Sequence, residues 1–295
     1  MLRITKNIEE ANLVTHTSTF HPDEVFCTML LSKVIENPVV CRTNKVEGNR
    51  EDAIIYDIGY TKFDHHQEDA EMRNEQIKYS AFGLIWREYG HKYLESMNVS
   101  DPDKLFDVID EKLVMQIDGI DNGLFPKILA PYKLLDLDKI IDLFNKSFDE
   151  EVDNDDNFMT AVSVATLIFD RIVLKEDAII RANKKALEII KEQLDKDTLI
   201  LPEYMPYEDA LFSVDNNFKT IIFPSNRGGY NIKIKTVSRE SKELAFHFPE
   251  EYLGKHDEEL EELSGIKTLR FCHSSGFLAA TDTFSDALEL AKRVN

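Results

Sequence analysis

From its first residues this chain alternates strand-like with helix-like segments, and few folds accept the order in which it does so. A short apolar run at residues 11–15 precedes a stretch at 23–36 with Val25, Met29, Leu30 and Val34 at helical spacing. Two β-branched runs at 38–41 and 53–58 follow, each bounded by turn residues. The order βαββ predicts a mostly parallel sheet flanked by helices, in an α/β fold. Residues 80–148 read as mainly helical, most clearly at 81–94 and at 102–117, where Asp101 and Pro102 serve as cap and first turn. The acidic run 149–156, with six carboxylates and Val152 as its one apolar residue, reads as a solvated loop and a candidate boundary. A helical connector at 158–195 then leads to strands at 210–214, 219–223, 231–237 and 268–272. The expectation is a domain over 1–150, followed by the connector and a smaller α+β domain within 158–295.

At 295 residues the chain can bury one large core or two ordinary ones. With 43% apolar and 31% charged residues it reads as globular. No apolar stretch in the sequence is judged long enough to cross a bilayer. The first residues lack the apolar core of a secretory signal, so a cytoplasmic location and no membrane partner are expected. Cys27, Cys41 and Cys272 are odd in number without a CxxC spacing, which points to buried thiols. A formal charge of -20 excludes a protein that coats nucleic acid through basic surface. Short anionic substrates remain open to it, because a bound cation dominates the field of its own site.

Histidine is scarce, eight in all, yet four fall in two short segments. THTSTFHPDE places His16, His21, Asp23 and Glu24 after the first strand and at the start of the first helix, where an open α/β sheet binds ligands. IIYDIGYTKFDHHQ puts Asp57 at a strand end and returns through a turn at Gly59 to Asp64, His65 and His66. QIDGIDNG ends a helix with Asp118 and Asp121 beside Asn122 and Gly123. Each segment alone has a plainer reading as a helix cap, a pair of histidines on opposite strand faces, or a turn. Their conjunction points to a centre for divalent cations, which take imidazole and carboxylate where water must stay in the coordination sphere.

With Asp64-His65-His66 following a strand-end Asp57, the chain resembles the DHH phosphoesterase superfamily. Within it, the spacing of the three segments resembles the melanocyte-proliferating-gene (Myg) family of RNA exonucleases, as do FPEEYLGKHDEELEELSGI and FCHSSGFLAAT. The resemblance covers almost the whole chain. It implies a DHH-type N-terminal domain and two divalent cations, one held by His16, His21 and Asp57 and the other by Asp23, Asp57, His65 and Asp118. Asp57 would bridge them, and Asp121 is an alternative to Asp118 that the sequence does not separate. His66 would face the substrate phosphate and Asp64 would orient a ligand histidine. The catalytic set is thus Asp57, Asp64, His65 and His66. Where many superfamily members carry Asp-x-Asp, this chain has His21-Pro22-Asp23, an exchange that favours a softer ion than Mg²⁺. Manganese is expected first, with magnesium, zinc, iron and cobalt as alternatives.

Further substrate contacts are assigned to Asp121, to His273 within Cys272-His273-Ser274-Ser275-Gly276, and to Arg227 in SNRGGY. Lys233 and Lys235 share one face of the 231–237 strand, where a solvated edge is the plainer reading. The function implied is a two-metal phosphodiesterase, an exonuclease on RNA or a short single-stranded oligonucleotide, with a homo-oligomer left open. The alternatives are a small-molecule phosphatase or pyrophosphatase, and a non-catalytic metal-binding regulatory protein.

Overall fold

Parallel pairing organises the first half of the protein. In the computed structural model, which describes residues 1–46, 50–125 and 130–295, the first four strands are β1 (Arg3–Thr5), β2 (Leu13–His16), β3 (Val39–Thr43) and β4 (Ile54–Ile55). They form a sheet in the order β1-β3-β2-β4 with each pairing parallel. Helix α1 (Pro22–Val34) connects β2 to β3. Proline at its first position has the φ a helix needs, and Asp23 and Glu24 in its first turn complement the helix dipole. Nearly every residue of α1 is buried, as expected of a helix enclosed on all sides. Phe26 packs its ring against Phe82 of α2 (Ala81–Ser96), 5.4 Å between centroids.

The segment expected as one helix at 102–117 runs further and changes pitch. α3 (Pro102–Ile109) continues through a π-helical turn at Asp110–Val114 into α4 (Met115–Asp121). Such turns re-aim the residues that follow them. After α5 (Leu137–Asp142) comes α6 (Asn154–Lys191). The chain divides into two compact units, Met1–Asp177 and Ala178–Asn295, so the division falls within α6.

A window of α6 is long and apolar enough to cross a bilayer by length and composition alone, contrary to the sequence reading. The same stretch buries Phe158, Ala161, Ala165, Phe169 and Val173 in the core. The acidic run before it is not wholly solvated either. Asp155 is buried and accepts a hydrogen bond from Arg42 Nη1 at 3.0 Å, while the Arg42 guanidinium lies 4.5 Å from the Phe158 ring centroid.

The second unit contains β5 (Thr198–Ile200), α7 (Glu208–Phe212), β6 (Thr220–Pro224), β7 (Tyr230–Ile234), α8 (Asp257–Ser264), β8 (Leu269–Cys272), β9 (Leu278–Thr281) and α9 (Phe284–Ala291). Its sheet runs β5-β6-β7-β9-β8, parallel between β5 and β6 and antiparallel elsewhere. Ile222, Ile232 and Ala279 pack into one cluster with Leu260 of α8 and Leu290 of α9. Ile221 and Phe223 pack instead with Ala186 and Ile190 of α6 and with Leu211 of α7.

Two expectations change here. Most of the residues at 210–214 belong to α7, not a strand: Glu208 and Asp209 favour its first turn, and Asn183 Oδ1 accepts the Ala210 N–H at 3.0 Å. Lys233 and Lys235 do not form a solvated edge, because β7 is interior to its sheet. Lys233 pairs with Glu208 at 3.0 Å, Lys235 donates to Asn216 Oδ1 at 2.8 Å, and burial lowers the Lys235 pKa.

Candidate metal centre

The carboxyl ends of β2 and β4 lie side by side, since Val14 pairs with Ile55 in parallel register. His16 is the last residue of β2, and Asp57 follows β4 by two positions. Asp57 has a φ of +57°, and Gly59 and Tyr60 follow at +84° and +52°. This left-handed path turns the chain back at once, and the Asp57 N–H donates to the Phe63 carbonyl at 2.9 Å. Asparagine and aspartate tolerate that region better than other non-glycine residues. The return brings Asp64, His65 and His66 to the same sheet edge as His16 and the first turn of α1.

Asp57 touches an imidazole with each oxygen. Its Oδ2 lies 3.1 Å from His16 Nε2 and its Oδ1 3.2 Å from His65 Nε2. His16 Nε2 is also 2.8 Å from Glu24 Oε1, while its Nδ1 is 3.0 Å from the Thr17 carbonyl oxygen. A carbonyl only accepts, so Nδ1 carries hydrogen and Nε2 is the atom aimed inward, as ligand histidines are commonly held. His65 Nε2 lies 3.2 Å from Asp121 Oδ2 and 3.9 Å from Asp23 Oδ2. Among the described residues, ligating atoms come within 4.8 Å of one another in four overlapping sets. These are His16, His21 and Glu24; Asp57, His65 and His66; His21, Asp23 and Asp121; and Asp23, Glu24 and Asp57. The cluster opens into a cavity of about 1180 Å³ lined by His16, His21, Asp57, His65, His66 and Asp121, with Tyr60 and Phe125 among its apolar walls.

The electrostatics of this cluster are unbalanced. Asp23 is fully buried, and among the described residues neither of its oxygens has a hydrogen-bond donor. Asp57 Oδ1 and Asp121 Oδ2 are also buried without one. Burial, with the neighbouring Asp57, Asp121 and Glu24 carboxylates, drives the Asp23 pKa well up. Asp121 is pushed up to about 6 by burial, against the pull of His65. For Asp57, burial would raise the pKa, but His16 and His65 outweigh it and hold it at about 2. His16 is depressed by burial, yet its contacts with Asp57 and Glu24 raise it to about 11. An ionised carboxylate buried without a partner costs several kcal/mol. Four carboxylates, Asp23, Glu24, Asp57 and Asp121, face one another here, and two divalent cations would match their formal charge. The donor set of imidazole and carboxylate suits first-row cations.

Five of the six residues expected as metal ligands converge; Asp118 does not. His16, His21, Asp23, Asp57 and His65 come together as expected. Asp118 lies one helical turn before Asp121 and faces away. Its Oδ1 accepts from Ser80 N at 3.0 Å, Ser80 Oγ at 2.7 Å and Gly83 N at 3.1 Å, and its Oδ2 from Arg73 Nε at 2.8 Å. It thereby serves the first turn of α2 from outside the helix. Asp121, not Asp118, reaches His65. Asp64 orients His66 and not His65: its Oδ1 is 2.7 Å from His66 Nδ1, and its Oδ2 accepts the Tyr60 N–H at 2.6 Å.

Glu24 was named with its segment, but the ligand set expected from the sequence did not include it. Both its oxygens accept the His21 N–H at 2.9 Å, sealing the start of α1, and Oε1 also reaches His16. The signal was present in the spacing of His21 and Glu24, that of a capping box, which is ordinarily a structural feature alone. Arg227 and His273 belong to the second unit. Arg227 is exposed at the β6–β7 turn, and His273 occupies the β8–β9 turn, where its Nδ1 lies 2.9 Å from Ser275 Oγ.

Comparison with known proteins finds relatives over nearly the whole chain. The MYG1_exonuc family model, described as an uncharacterised protein family (UPF0160), matches residues 12–294. The MYG1 protein of Dictyostelium discoideum is 26% identical over 316 residues, 96% of this chain and 96% of its own. The Schizosaccharomyces pombe MYG1 protein C694.04c is 25% identical over 312 residues, covering 95% and 96%. Human MYG1 exonuclease is 24% identical over 318 residues, covering 94% and 84%. No solved structure matches significantly.

Proposed function

The chain belongs to the MYG1_exonuc family, and on that footing we propose that it is a two-metal phosphodiesterase of DHH type that removes nucleotides from an end of RNA or a short single-stranded oligonucleotide. Relatives named MYG1 exonuclease support a nuclease-like activity and a nucleic-acid substrate. The observation that carries the reading is the Asp23 carboxylate, buried beside three other carboxylates and imidazoles and, among the described residues, without a donor. Such a group is costly in an apo protein and intelligible as half of a cation cage.

One cation would be held by His16, His21 and Glu24, the other by Asp23, His65 and Asp121, with Asp57 shared between them. Asp121 takes the place the sequence gave to Asp118, whose acceptors are already engaged. Manganese suits this mixed set best, with zinc, iron and cobalt next and magnesium last. Cations held there supply Lewis acidity, activating water and offsetting charge on the phosphoryl oxygens.

The chain's own groups do the positioning. The Asp64 carboxylate accepts Nδ1–H of His66 and favours the protonated ring, and in that form Nε2–H is left to donate to a phosphate oxygen at the mouth of the cavity. The wide cavity admits a chain end, and the overall negative charge disfavours long duplexes.

The test is to incubate the manganese-loaded protein with an end-labelled oligoribonucleotide and, in parallel, with pyrophosphate. Stepwise shortening of the RNA, lost with EDTA and in Asp57→Asn, is expected. Release of phosphate from pyrophosphate with the RNA left intact would replace this reading with the small-molecule one.

A further inference from the structure

The second unit carries a cavity of its own. One face of its sheet packs along β6 against α6 and α7, and over β7, β9 and β8 the same face lines a cavity. The cavity there, about 620 Å³, is lined by Asn231, Lys233, Leu278, Ala280 and Phe271 from the strands, with Tyr204, Phe277, Arg227 and Arg270 around them. Among the described residues, none of its lining side chains is a carboxylate, although the chain as a whole carries 55 acidic residues against 35 lysines and arginines.

The cations are not equivalent. Lys233 is matched by Glu208 at 3.0 Å and Arg270 by Asp282 at 3.1 Å. Arg227 has no side-chain partner among the described residues, so the cavity holds one uncompensated positive charge in an acidic protein. The turn that presents it is fixed. Gly228 N donates to the Ser225 carbonyl at 3.0 Å, Arg227 N to Ser225 Oγ at 3.2 Å, and Arg270 Nη2 to the Gly228 carbonyl at 2.7 Å. Gly229, at φ +67°, lies so close to the neighbouring strand that a Cβ would stand 2.1 Å from the Thr281 carbonyl oxygen. The same lining carries Tyr204, exposed and tilted against Phe223 at 5.2 Å, and the exposed Phe277.

An unpaired guanidinium beside open aromatic faces fits a ligand with an anionic end and a flat apolar body. The volume lies in the range of small-ligand sites. We propose that this cavity binds one nucleotide, its phosphate on Arg227 and its base against Tyr204 and Phe277. The choice of a nucleobase over other aromatic anions rests on the function proposed above; the site itself does not.

The experiment is equilibrium binding of AMP to the full chain in EDTA, where no turnover occurs, with adenosine and inorganic phosphate as competitors. Saturable binding is expected. Arg227→Ala should weaken it about tenfold or more, as loss of a charge-assisted contact does. Tyr204→Ala should weaken it about fivefold or more, as loss of a stacking partner does. Both side chains are exposed, so thermal melting of the variants should match the parent. Asp57→Asn should leave AMP affinity unchanged. The proposal is overturned if Arg227→Glu binds AMP as the parent does, if phosphate competes as well as AMP, or if Asp57→Asn abolishes binding. An active exonuclease that fails to bind AMP in this assay would sink this inference alone. An AMP-binding chain inert towards RNA would sink only the reading before it.

Discussion

Arg73 donates its Nε to Oδ2 of Asp118 at 2.8 Å, and its Nη2 to Asp110 Oδ1 at 2.8 Å. Asp118 thus ties the loop after His66 to the first turn of α2, and its work is structural. Asp118→Ala should lower the unfolding free energy by about 3 kcal/mol, because it leaves Arg73 Nε–H and the buried Ser80 and Gly83 N–H groups without their acceptor. Asp121→Asn should change stability by less than about 1 kcal/mol in EDTA while reducing bound manganese. Denaturant melts and metal analysis of the two variants check this. Unchanged stability in Asp118→Ala would refute the assignment.

Asp23 makes the opposite case. Replacing it with asparagine removes a buried carboxyl whose ionised form burial and its carboxylate neighbours disfavour, and supplies N–H groups to those neighbours. In EDTA, Asp23→Asn should therefore be more stable than the parent by about 1–3 kcal/mol, and it should lose activity with manganese present. A variant less stable than its parent in EDTA would remove the main argument for a cation cage.

Metal loading should release protons. In the metal-free chain Asp57 and Glu24 hold His16 at about 11, above the ordinary 6.5, so at pH 7 its ring is charged. A cation at Nε2 must displace that proton. Titration calorimetry of manganese binding in two buffers of different ionisation enthalpy should show about one proton or more released per chain. The apparent affinity should rise with pH. Binding with no buffer dependence would contradict the ligand role of His16.

Cys272 supplies a pH dependence remote from the metal cluster. Burial pushes its thiol from about 9 up to about 11. Between those values the unfolded chain has shed a proton that the folded chain retains. Stability from this group is complete below pH 9 and is lost as pH rises towards 11. Cys272→Ala should therefore lose less stability than the parent from pH 9 to 11, as measured by urea melts. All three cysteines are buried, and thiol reagents should label them only after unfolding.

Much of the first sheet and its ligands was legible because strand ends and histidines coincide in short segments. His16, Asp57 and His65 could be placed at one edge from two stretches of sequence. Choosing between Asp118 and Asp121 could not be done that way: one turn of α4 separates them, and only the packing of α2 decides which carboxylate is spent on Ser80 and Gly83. Glu24 was hidden by doing two things at once. In the second unit β9 went unnoticed, since Leu-Ala-Ala-Thr has little strand preference of its own and is recruited by pairing with β7 and β8. The position of β7 inside its sheet likewise follows from partners distant in sequence.

The kink at Asp57 decides how this protein can be interrogated. Alanine there would change the route of the main chain together with the chemistry, since a methyl side chain resists the left-handed conformation that asparagine accepts. Any defect in such a variant would mix a misdirected loop with a missing charge. Asparagine keeps the route and removes only the charge, so the neutral amide is the cleaner probe of whether one side chain links both halves of the centre.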